Sequence, residues 1–271
     1  MEASMAAITI EDASERRRAN AKRRDLIINI ASPLGLLAAW EIAAQLNFID
    51  VRFFPAPSSI VRALITIAQS GELWTNTSIS LQRLFFGFLL GGIPALILGI
   101  IMGISRPVRA FVDPLIAATY PIPKSSILPL ILLIFGLGEM SKIVMVAIGV
   151  FYPIAINATA GVLQINRVYI DVGRSFKANP YETFRTIALP GALPFIMTGV
   201  KLGAGLGLIL IAIAEMVGAK SGIGYMIWSA WETFSVERMY VGLFVIAIIG
   251  FVMTLGLNEL ERWLIPWKTD S

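Results

Sequence analysis

The sequence contains neither cysteine nor histidine. The first absence excludes disulfides, thiolate nucleophiles and thiolate metal sites. The second removes the commonest metal ligand and the commonest general base. No catalytic residue, metal site or bound cofactor is therefore expected. A phosphate-binding Gly-x-x-x-x-Gly-Lys-Ser/Thr run is also missing, so the chain has no visible means of holding a nucleotide itself. Charge is scarce: 15% of residues are charged, where a soluble domain carries about a quarter. The net charge of +4 and a pI near 9.5 do not point to nucleic acid, because the basic residues are scattered through loops without a recognition motif.

What the sequence has instead is apolar length: 56% of residues are hydrophobic and the mean hydropathy is +0.76. Runs of about 20 apolar residues, the length a helix needs to cross a bilayer, recur along the chain. They predict an all-α, polytopic membrane protein with six transmembrane helices at about 26–46, 81–104, 114–137, 143–163, 193–217 and 239–257. Residues 1–25 read as a basic, flexible cytoplasmic tail, and 26–271 as one membrane domain. The first run is too long, and too far from the start, for a cleavable signal, so it is expected to stay as an anchor. Between the first two runs, Asn47–Ser80 looks too polar to cross lipid and includes an amphipathic piece at Ser58–Ala68. With the N-terminus inside, 14 Lys and Arg fall on the inner side and six on the outer, Arg83 and Lys142 among the six. That asymmetry places both termini in the cytoplasm.

The longest inner loop, at about 164–192, has its own signals. Asn179-Pro180-Tyr181-Glu182 reads as a helix start: Asn caps free N–H groups, Pro suits the first helical position, and Glu falls at N3. The spacing predicts a helix to about Ala188 that stops before Pro190, and a second short helix over Val168–Lys177. The apolar residues are Phe176, Tyr181, Phe184 and Ile187. The residues alone allow two readings: an amphipathic connection lying on the bilayer, or a dock for another protein.

The stretch from Asp171 to Pro190 resembles the EAA signature of ABC importer permeases, which starts Glu-Ala-Ala, has Gly at the seventh place and ends Ile-x-Leu-Pro. Asp171 stands where the family has Glu, Val172 and Gly173 replace the two Ala, and Ile187, Leu189 and Pro190 match the ending. Lys177 occupies the usual Gly position. Phe54-Pro-x-Pro-Ser58, Pro121-Ile-Pro-Lys124, Ala214-Glu215-Met216, Ser221-Gly222-x-Gly224-Tyr225 and Pro266-Trp267-Lys268 look like the nitrate, sulfonate, taurine and bicarbonate branch of these permeases. The similarity runs from about Leu36 to Lys268 and implies a type I importer fold in a bacterial inner membrane. It further implies a second copy of the permease, two ATP-binding subunits that hold ATP and Mg, and an extracytoplasmic binding protein delivering a small anionic solute. The ATPase-coupling residues are then Asp171, Gly173, Arg174, Phe176, Lys177, Ala178, Asn179, Pro180, Glu182 and Phe184. A self-sufficient channel or ion-driven secondary transporter is the alternative. It would leave the docking loop unexplained.

Ionisable groups inside apolar spans are costly and need an explanation. Lys124 follows Tyr120-Pro-Ile-Pro123, where two prolines interrupt a span. Lys124 and Tyr120 are assigned to the substrate pathway together with Glu215, near the outer end of the fifth span. The other reading of Lys124 is that it packs against carbonyls or a carboxylate. Lys201 is expected to snorkel to the interface, and Glu41 to be packing polarity. Gly199 and Gly203 form a close-packing pair, and Trp228, Trp231, Trp263 and Trp267 read as interfacial anchors.

Overall fold

A computed structural model describes residue 28 and residues 31–267, with the side chains of Arg167, Ile170, Arg174 and Pro180 excepted. The tail expected at 1–25 lies outside the described residues. The chain divides into two compact units, residues 1–63 and 64–271. Among the described residues all regular structure is helical.

In the first unit, α1 covers residues 31–45 and coincides with most of the first expected span, whose opening residues are not described. A turn region leads to the start of α2 (Pro57–Gln69). Glu41 is more than packing polarity here. Its carboxylate accepts hydrogen bonds from the backbone N–H of Ser58 at 2.9 Å and the Ser58 hydroxyl at 2.7 Å. It thus caps free N–H groups at the start of α2, where a negative charge also suits the helix dipole.

The second unit is built on α3 (Glu72–Ile104), α6 (Glu139–Leu163) and α9 (Leu189–Met216), which pack on one another around buried Leu84, Ala95, Val150, Ile154 and Ile211. α3 and α6 approach so closely that a Cβ on Gly91 would lie 2.1 Å from the Ala147 carbonyl oxygen. Gly199 and Gly203 bring α9 against Pro153, Ile154 and Val150 of α6 in the same way. The remaining helices are α4 (Arg106–Thr119), α5 (Leu128–Phe135), α7 (Arg167–Ser175), α8 (Pro180–Thr183), α10 (Ile223–Glu232) and α11 (Val236–Leu264).

Four helical stretches among the described residues are long and apolar enough to cross a membrane: Glu72–Ile104, Glu139–Leu163, Tyr181–Met216 and Val236–Leu264. They contain the spans expected at 81–104, 143–163 and 239–257, and the one expected at 193–217 up to its last residue. Three local expectations change. First, α3 begins at Glu72: of its polar opening turns, Asn76 and Ser80 are buried and hydrogen-bonded to the start of α10, while Thr75 and Ser78 stay exposed. Second, the span expected at 114–137 is broken, with Arg106–Thr119 and Lys124–Phe135 meeting at 88°. Pro121 and Pro123 cannot continue the α-helical hydrogen bonding. Third, the loop helix does not stop before Pro190. Phe184–Ala188 form a π-turn closed by the Leu189 N–H on the Phe184 carbonyl, and α9 follows without interruption. The wider turn carries the chain past a residue that has no N–H to give and whose ring would crowd an ordinary α turn.

Candidate functional site

Three places in the second unit bear on function, and the first is the loop between α6 and α9. Asn179 and Glu182 form the expected reciprocal cap: the Glu182 N–H donates to Asn179 Oδ1 at 2.9 Å, and the Asn179 N–H to Glu182 Oε2 at 2.8 Å. Upstream, α7 ends with Lys177 in the left-handed region at φ 56° and the Ala178 N–H donating to the Gly173 carbonyl at 3.0 Å. This is the Schellman arrangement, whose left-handed position usually holds glycine. Lys177 therefore adopts the turn that the family's glycine would take. Gly173 is buried beneath the π-turn, where a Cβ would come within 2.9 Å of Ile187 Cδ1. Ala178 and Phe184 are half-buried; Asp171 and Glu182 are exposed. Phe176 is 83% exposed and Tyr181 67%, and Val168 and Tyr169 are exposed beside them in sequence. The loop thus turns a capped framework inward and aromatic side chains outward.

The second place is the break between α4 and α5. Lys124 Nζ donates to the carbonyls of Thr119 at 3.0 Å, Tyr120 at 3.1 Å and Ile122 at 3.1 Å. An ammonium thereby neutralises the negative end of α4 and holds the bend. Its other neighbours are aromatic: Nζ lies 4.1 Å from the ring centre of Tyr152 and 5.8 Å from that of Tyr120. The structure thus brings Lys124 and Tyr120 together and adds Tyr152, which the sequence did not single out.

The third place is at the other end of the bundle from the loop, where α3 and α6 start and α9 finishes. Glu215 is there, separate from Lys124 and only 1% exposed. Its carboxylate accepts from Ser80 Oγ at 2.7 and 2.8 Å, Arg83 Nη1 at 2.9 Å and the Gly224 N–H at 3.0 Å. Arg83, 3% exposed, also donates to both carboxylate oxygens of Glu139 at 2.6 and 2.7 Å, and to the backbone and side-chain oxygens of Ser221 at 2.7 and 3.2 Å. All five guanidinium N–H groups have acceptors. The Gly222 and Ile223 N–H groups donate to Asn76 Oδ1 and Ser80 Oγ, each at 2.8 Å. Three successive N–H groups at the start of α10 are so held by side chains of α3 and α9. The glycines permit it: Gly222 has φ 112°, and a Cβ there would sit 2.3 Å from the Glu215 carboxyl carbon. Lys142, fully buried, donates to the Leu137 and Gly138 carbonyls just before α6.

Arg83 and Lys142 are therefore not loop residues of an outer face, as hydropathy indicated, but parts of a buried ionic cluster. A signal for it exists in the sequence: Asn76, Ser80 and Arg83 recur at helical spacing on one face. Lys201 also has a carboxylate partner. It pairs with Glu261 of α11.

Residues 95–269 match the family described as binding-protein-dependent transport system inner membrane component. The chain belongs to that family. This permease is 37% identical over 255 residues to the taurine transport system permease protein TauC of Escherichia coli K12, covering 91% of this chain and 92% of TauC. With the aliphatic sulfonates transport permease protein SsuC of the same organism it shares 36% over 236 residues, 87% and 90% of the two chains. In fold it resembles the MetNI methionine ABC transporter in an inward-facing conformation, with a TM-score of 0.53 at 21% identity over 72% of this chain and 95% of that one. The permease is thus a multi-pass inner-membrane subunit with the type I importer fold.

Proposed function

We infer that the permease forms the translocation pathway of an ATP-driven importer for a small organic sulfonate, working as a pair with two ATP-binding subunits and an external solute-binding protein. The names of its relatives support the sulfonate class over nitrate or bicarbonate. The observation that carries the coupling role is the loop: a capped helix pair that exposes Phe176 and Tyr181 and runs directly into a membrane-crossing helix. A face of this kind suits a groove on a partner protein. ATP and Mg belong to that partner, and this chain supplies motion and passage. Closure of the ATP-binding subunits would move the docked loop, and α9 would carry that movement toward the far end of the bundle. The solute route passes the break beside Lys124 and Tyr120, while Glu215 governs the far end by holding α10. The loop and both termini face the cytoplasm in this reading, which the Lys and Arg asymmetry supports.

Co-purification with the cognate ATP-binding subunit tests this reading. Phe176→Asp combined with Tyr181→Asp is expected to remove the ATP-binding subunit and solute uptake while the permease still elutes as a folded membrane protein. Retention of the subunit at its normal ratio would defeat the docking role.

A further inference from the structure

The helix break brings together features that neither the fold nor the relatives explain. Lys124 is held by three neutral carbonyls, and no carboxylate pairs with it among the described residues. A helix end offsets only about half of an elementary charge, so positive potential remains at a point inside the membrane domain. Tyr152 stands beside that charge, one residue beyond the midpoint of the 25-residue α6. Tyr120 packs near it, with ring centres 5.7 Å apart, and is exposed. Tyr152 also lines an open recess of about 210 Å³ with an apolar lining that includes Leu90, Val144, Ile148 and Phe151. A single side chain therefore adjoins both a cation and an apolar recess.

We propose that Tyr152 is a specificity-determining residue of the solute pathway, where it and Lys124 select compact organic anions that carry a short hydrocarbon tail. The anionic head sits in the field of the ammonium and the tail lies over the tyrosine ring toward the recess. An ammonium head of the same size meets like charge and is disfavoured. The aromatic face does not hold the anion by charge, since its own quadrupole repels one. It fixes the ammonium by cation–π attraction and offers an apolar wall to the tail. This rests on the transporter reading above and gives a substrate class to one point of that pathway.

The natural absence of cysteine makes the test direct. Tyr120→Cys, which keeps the Tyr152 ring, is prepared in the assembled transporter in nanodiscs, and its modification by small methanethiosulfonates is followed during ATP turnover. A sulfonate-bearing reagent is expected to react about tenfold faster than a trimethylammonium-bearing one of similar size, a ratio that a residual half charge at contact distance readily supplies. Adding Lys124→Met should bring the two rates together. 1-Butanesulfonate should protect the cysteine and butylammonium should not. Adding Tyr152→Ala to this reporter should abolish the protection by 1-butanesulfonate, and protection that survives it overturns the assignment of Tyr152; Tyr152→Cys serves only as a second reporter of access and charge preference if the first variant does not assemble. Equal rates for the two reagents, a ratio unchanged by Lys124→Met, equal protection by the two butyl compounds, or no modification of either reporter each overturns the proposal. Whether the ATP-binding subunit is retained on the same sample reports separately on the transporter reading.

Discussion

Arg83 shows how much a single side chain carries in this molecule. It ties Glu139 of α6 and Glu215 of α9 to the Ser221 loop with all of its donors. Removing one partner of a buried pair strands the other, at a cost of about 3–5 kcal/mol. Arg83→Met is therefore expected to lower the thermal stability of the detergent-solubilised permease severely. The double variant with Glu215→Leu should lose clearly less than the sum of the two single changes, as a thermal double-mutant cycle would show. Lys177 gives a prediction of opposite sign. A non-glycine residue in the left-handed region bears about 1–2 kcal/mol of strain, so Lys177→Gly should firm the loop, slowing backbone hydrogen exchange at 173–183. At this scale the sequence was a partial guide. Lys124 and Tyr120 announced themselves by the prolines around them, and Lys124 turned out to hold carbonyls as one of its two readings required. Arg83 and Lys142 did not, because hydropathy averages over a window and cannot see which partners a buried charge will meet.

The elements divide along the same line. Helices with uninterrupted apolar stretches were legible from composition alone, and so was the reciprocal Asn179–Glu182 cap, which depends only on local spacing. Asn179→Ala should cost about 1 kcal/mol of local helix stability and weaken, without abolishing, co-purification of the ATP-binding subunit. The start of α3 and the passage through Pro190 were not legible. One depends on polar partners 130 or more positions away in the chain, as between Arg83 and Glu215, and the other on a π-turn that no propensity scale anticipates. Contact between α3 and α6 depends on glycine at a point where backbone meets backbone. Gly91→Val cannot keep the present approach to Ala147. Overpacking of this kind costs about 1–3 kcal/mol, and the variant should show a lower midpoint in detergent unfolding together with faster proteolysis.

For the whole molecule, the loop and the ionic cluster lie at opposite ends of α6 and α9. Single cysteines at Asn179 and Glu232 should consequently be reached by impermeant reagents from opposite faces of the membrane, the first only from the cytoplasm. Labelling of Asn179→Cys from outside would invert the topology. The fold class and the family were readable because both depend on features repeated or clustered in sequence. The ionic cluster was not, because it exists only after three distant segments, 76–83, 137–142 and 215–224, have met.

Tyr181–Met216 is one helical run of 36 residues, about 50 Å long at 1.5 Å per residue. A rod of that length conveys twist as faithfully as it conveys displacement. One alanine inserted after Gly205 would rotate everything beyond it by about 100°, leaving the loop intact while Glu215 faces away from Arg83. The two ends of the permease are in that sense geared to each other by residue count, and a chain that still recruits its motor could lose its far end to a single extra tooth.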